Sequence, residues 1–114
     1  MAENIVYVNV EEGSRRVMNN IKLYVKLLGK FMEDKSMSQI DEALNNNDLA
    51  SAQNLIHAVK GLAANLSLTD LYKHSVELET QVKAGAVDRQ QVDNFKDSHA
   101  RKLTEVEKVI AKYA

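Results

Sequence analysis

His57, Lys60 and Gly61 stand within one short stretch, IHAVKGLAANL at residues 56–66. An imidazole is a nitrogen nucleophile that works near neutral pH. A lysine three positions on lies one helical turn away, where its ammonium balances negative charge arriving on the ring. A glycine inside a helix costs about 1 kcal/mol relative to alanine, so Gly61 calls for an offsetting use. With no side chain there, a bulky group and a partner's surface have room beside the histidine. The chemistry such a triplet fits is transient capture of a phosphoryl group on the ring.

That chemistry requires His57 to face outward. Placing residues at about 100° steps with Val59 at the centre of the buried stripe puts Ala52, Leu55, Ile56, Leu62, Ala63 and Leu66 within about 60° of it. His57 then falls about 160° away beside Ala50, Gly61 and Ala64, with Lys60 flanking at about 100°. The histidine is therefore expected to point at solvent from a face cut low by small residues. Gln53, Asn54 and Ala64 lie around it as candidate partner-docking positions.

The stripe belongs to a helix predicted over Leu49–Leu66, with Asp48 as its cap. Before it, Val17, Ile21, Tyr24, Leu28 and Phe31 recur at steps of four and three, predicting one long helix from Ser14 to about Asp34. A short helix carrying Ile40, Ala43 and Leu44 follows, closed by a turn at Asn45–Asn47. After the central helix, SLTD offers Ser67 as a cap with Asp70 three residues on. Leu68, Leu71, Ser75, Leu78 and Val82 form the next stripe, and Gly85 ends it. Asp88–Gln91 reads as a capping-box start for a last helix through Val92, Phe95, His99, Leu103, Val106, Ile110 and Tyr113. Residues 1–12, with the run IVYV, are expected to form an arm or short helix. Long amphipathic helices joined by short turns predict an all-α, up-and-down four-helix bundle over 14–113, with extra short helical segments on its N-terminal side.

Composition narrows the function classes. At 114 residues with no proline and sparse aromatics, the chain is one helical domain's worth. A net charge of −1 with both signs mixed along the chain offers no field for a nucleic-acid backbone. With no cysteine, a disulfide framework, a thiolate metal site and a cysteine nucleophile are all excluded. The start of the chain lacks a basic, cleavable leader, and no segment approaches a bilayer-spanning length, so a cytoplasmic location is expected. No glutamate precedes a histidine by three residues and no His-Glu-x-x-His occurs, which removes the metal-bundle readings. No phosphate-cradling glycine-rich loop is present, so autonomous kinase activity is not expected and a phosphoryl group must arrive from a partner. His74 falls on a polar side and is expected to be solvated; His99 falls on an apolar face and is expected in the core.

The string H-A-V-K-G-L-A-A-N-L, residues 57–66, resembles the signature of the histidine-containing phosphotransfer (HPt) domain family, in which His-x-x-Lys-Gly is followed by small residues. YVKLLGKF (24–31), NNNDLASAQNLIH (45–57) and VELE (76–79) resemble the flanking regions, so the likeness covers most of the chain. It departs at Ser67, where the family usually has glycine. The resemblance implies a helical bundle in which His57 accepts and donates the phosphoryl group, Lys60 steadies it and Gly61 allows close approach. It further implies that Glu79, deep on its own helix for a charge, accepts a hydrogen bond from Nδ1 and leaves Nε2 as the nucleophile, the alternative being a bundle-edge glutamate paired with a nearby lysine. The implied partners are response-regulator receiver domains and a hybrid or sensor histidine kinase, with Mg²⁺ held by the receiver and no cofactor in this chain, which is expected to be a monomer. The competing expectation, from a different class, is a helical adaptor that binds signalling partners and carries no phosphate.

Overall fold

Helix boundaries in this chain are set by a few polar side chains that satisfy backbone groups the helices leave open. The computed structural model describes residues 10–113. It contains α1 (Val10–Arg15), α2 (Ile21–Glu33), α3 (Ser36–Asn45), α4 (Leu49–Leu66), α5 (Thr69–Ala84) and α6 (Arg89–Tyr113). The stretch IVYV lies outside the described residues, while Val10–Glu12 are helical.

The long first helix expected from Ser14 is two helices. Met18 and Asn19 adopt left-handed backbone at φ 58° and 61°, and Asn20 caps α2 by accepting the Leu23 N–H at 3.1 Å. Val17 and Ile21 keep helical spacing across this turn, which disguised the break. Gly13 lets α1 press against α2, since a Cβ there would collide with the Tyr24 ring. The Tyr24 hydroxyl crosses the core and donates to the Leu66 carbonyl at 2.7 Å. Burial and the nearby Glu12 charge push the Tyr24 phenol up to about 12, so it stays a donor throughout the physiological range.

Asp48 caps α4 as expected, accepting the Ser51 N–H at 3.1 Å. Ser67, expected to open α5, instead closes α4. Its backbone is left-handed at φ 58°, and the following Leu68 N–H reaches back to the Ala63 carbonyl at 2.8 Å, the helix-ending pattern that glycine most often serves. Its hydroxyl donates to Glu12 Oε1 at 2.7 Å. At the head of α6, Asp88 accepts the Gln90 N–H, but the reciprocal bond expected of Gln91 comes from Gln81, whose Oε1 accepts the Asp88 N–H at 2.9 Å.

Helices α2, α4, α5 and α6 form the four-helix bundle. Neighbours α4 and α5, α5 and α6, and α6 and α2 pack together, while α3 lies on α4 and α1 on α2. Short connections make α4, α5 and α6 successive antiparallel neighbours. The core runs from Tyr24, Leu28 and Phe31 through Ile56, Val59 and Leu66 to Leu71, Leu78, Phe95 and Val106. His99 is buried there against Phe31, with ring centroids 5.4 Å apart. The α6 stripe differs from expectation: Leu103 and Ile110 are only half-buried and Tyr113 is exposed, whereas Lys102 is fully buried with its ammonium 2.7 Å from Asp70 Oδ1. His74 is half-buried, 3.6 Å from Glu77, and not freely solvated.

Candidate phosphoryl-accepting site

The central helix α4 turns its buried stripe, Ala52, Ile56, Val59, Ala63 and Leu66, toward the core and so forces the opposite face into solvent. His57 sits on that face with its side chain 66% exposed. Among the described residues its ring is held at one edge only. Nδ1 lies 2.9 Å from Glu79 Oε2, a carboxylate reaching across from α5. Glu79 shares a face with the buried Leu78, Val82 and Ser75 of α5 and is itself 5% exposed.

A buried carboxylate needs compensation. Lys60, one turn after His57, donates from Nζ to Glu79 Oε1 at 2.6 Å, and Lys83, one turn after Glu79, brings its ammonium to 3.9 Å from Oε2. Burial pushes the Glu79 carboxyl up, but the hydrogen bonds from Lys60 and His57 and the charges of Lys60 and Lys83 outweigh it and hold the group below the usual carboxylate range. An ionised carboxylate accepts hydrogen bonds and donates none. Nδ1 is therefore the protonated nitrogen of the neutral ring, and Nε2 presents its lone pair on the exposed edge.

Gly61 follows on the same face, and among the described residues nothing beyond its chain neighbours and its own helix's backbone lies within 4 Å of where a Cβ would stand. The floor beside the imidazole is thus open on the protein's own account, and any use for the missing side chain lies with a molecule outside it. Asn54 is exposed and Gln53 and Ala64 half-buried, flanking His57 toward the two ends of α4. The structure thus brings His57, Lys60 and Glu79 into direct contact and sets Gly61 beside them.

One neighbour escaped the sequence reading. Lys83 stands four residues after Glu79, and that i,i+4 spacing was the available signal. Among the described residues no group of three or more His, Asp or Glu is gathered to hold a metal ion. No helix among them is long and apolar enough to cross a membrane.

Comparison with curated proteins and with solved structures finds no match. The family model described as the Hpt domain, by contrast, matches residues 26–110, a span that takes in α3, α4 and α5, nearly all of α6 and most of α2. Membership of that family implies a phosphorelay histidine carrier of two-component signalling. With an exposed imidazole held at one nitrogen on a helical bundle, and with the match covering most of its length, this chain belongs to the Hpt domain family.

Proposed function

We propose that His57 takes a phosphoryl group from the phospho-aspartate of a receiver domain and passes it to a second receiver, with a sensor or hybrid histidine kinase upstream. The lone pair of Nε2 attacks phosphorus, the P–O bond of the acyl phosphate breaks, and the aspartate leaves as a carboxylate. No proton has to move, because Nδ1 already carries one. The ring becomes cationic as the N–P bond forms, and Glu79, 2.9 Å from Nδ1, faces that charge. In the onward transfer the ring departs as the same neutral tautomer it started from.

What supports this reading most is the Nδ1–Glu79 contact on an otherwise exposed imidazole. Lys60 is engaged with Glu79 in the unphosphorylated chain. An incoming phosphoryl group gives its ammonium a second anion one turn away, and Lys83 remains to balance Glu79. Gly61, Gln53, Asn54 and Ala64 form the surface a receiver meets. Mg²⁺ is assigned to the receiver, and the carrier is assigned to the cytoplasm as a monomer.

The test is transfer in vitro. The purified chain is incubated with a phosphorylated receiver and Mg²⁺, beside His57→Gln, and label is scored for acid lability and base stability. Acid-labile, base-stable label on the wild type alone is expected. Absence of label with every receiver tried would leave a binding bundle without phosphate chemistry.

A further inference from the structure

A cleft lies on the His57 side of α4, beyond Gly61. It has a volume of about 310 Å³ and is lined by Arg16, Ala64, Ser67 and Tyr72 among others. Ala64 is seven residues after His57, about 10 Å along the axis and only about 20° round it. Tyr72 is likewise seven residues before Glu79 on the antiparallel α5, so the two helices carry one continuous strip. His57, Lys60 and Glu79 stand at one end, Gly61 in the middle, and the cleft at the other end.

The far end is built differently from the rest. Tyr72 is among the few large hydrophobic side chains left exposed among the described residues, at 41%. Opposite it stands Arg16, just past α1, half-exposed and held in place by Glu12 at 3.6 Å and by a hydrogen bond from its Nε to Ser67 Oγ at 3.4 Å. The Ser67 hydroxyl in turn donates to Glu12, so the left-handed end of α4 fastens the α1 segment beside the cleft. Exposed tyrosine and arginine around a cavity are the residues that most often anchor a protein interface. Arg16 and α1 precede residue 26, where the family match begins.

The geometry points to Tyr72 and Arg16 as specificity-determining anchors for the receiver domain that reacts at His57, an inference that rests on the carrier reading above. The receiver spans the strip from the imidazole across Gly61. It places an apolar side chain in the cleft between Ala64 and Tyr72, and an acceptor, a carboxylate or a carbonyl, on the Arg16 guanidinium. Continuity with the His57 face favours this occupant over an unrelated ligand, because a body large enough to bring a phospho-aspartate to Nε2 also covers ground about 10 Å away. The shared family scaffold would then position the chemistry, while Tyr72 within the matched span and Arg16 before it select the partner.

The test compares wild type with Tyr72→Ala, Tyr72→Phe and Arg16→Glu, using two phosphoryl donors. Phosphoramidate is a small donor that needs no docking surface. The protein donor is an isolated receiver charged with acetyl phosphate and Mg²⁺, chosen as the one that labels the wild type fastest. Expected are equal labelling by phosphoramidate and, for Tyr72→Ala and Arg16→Glu, about a tenfold rise in the half-saturating receiver concentration at an unchanged saturating rate, with Tyr72→Phe close to wild type. Receiver curves that coincide with wild type, or that lose saturating rate alone, would overturn the anchor assignment and leave the carrier reading standing. Failure of both donors to label the wild type would overturn the carrier reading and this inference with it.

Discussion

A single missing side chain separates the two demands made on α4. Gly61 sits in the interior of an 18-residue helix with empty space where its Cβ would project, so nothing among the described residues requires glycine there. Gly61→Ala is therefore expected to raise stability by up to about 1 kcal/mol, the helix-propensity difference, read as a higher midpoint in thermal or urea unfolding. The same variant should label normally with phosphoramidate but exchange more slowly with a receiver, because the added methyl stands in the approach path. A variant both stabilised and undiminished in receiver exchange would mean that Gly61 leaves no room that a partner uses. His57 and Lys60 were legible in the sequence for a simple reason: helical phase alone fixes an outward face. Glu79 was legible through its depth on α5 and through the family resemblance, and not through helical phase, since contact with His57 depends on how α4 and α5 register, which no single helix reveals.

Between elements, the least legible feature is the pair that ties α5 to α6. Lys102 reads as a polar interruption of the α6 stripe, yet its stem fills a core position and its ammonium meets Asp70 at 2.7 Å, with Ser98 donating to the other carboxylate oxygen at 3.2 Å. Asp70 was expected to serve a cap at the start of α5, a local role that the longer-range partner displaces. Burial pushes the Lys102 ammonium down, while the Asp70 bond and charge act against it. Removing one member of such a pair costs more than removing both. Asp70→Ala is expected to lower unfolding free energy by about 3 kcal/mol, and adding Lys102→Met should recover most of it, a non-additivity measured in a double-mutant cycle. Equal and additive losses would show that the ion pair contributes little and that packing of the lysine stem dominates. The same reasoning explains the misplaced ends of α2 and α5. Apolar periodicity reports which face is buried but continues across a tight turn, and Ser67 serves a left-handed helix end as readily as a cap.

For the molecule as a whole, several groups in different places make stability depend on acid in the same direction: His99 and Glu79 in the bundle, and the exposed Glu12 and Asp48, whose bonds to Ser67 and Ser51 hold them below the usual carboxylate range. Burial holds the His99 imidazole below its ordinary value of 6.5, with Asp34 opposing, and the Lys60 and His57 bonds hold Glu79 below 4.5 in spite of its burial. In each case the unfolded chain binds a proton more readily than the folded one, so stability rises with pH across the window between folded and unfolded values. The contribution of His99 is complete above about pH 6.5 and is lost as pH falls through the lowered value; that of Glu79 is complete above about pH 4.5 and fails below it. Thermal midpoints should accordingly decline in two stages, first below pH 6.5 and again below 4.5. Replacing the ring by His99→Leu, which keeps an apolar body against Phe31, should flatten the first stage and leave the second. Glu79→Gln should keep the first stage and weaken the second, to which Glu12 and Asp48 also contribute. If His99→Leu leaves the decline between pH 6.5 and 5 unchanged, the buried imidazole is not its source, and the core around Phe31 takes up the proton without loss of packing.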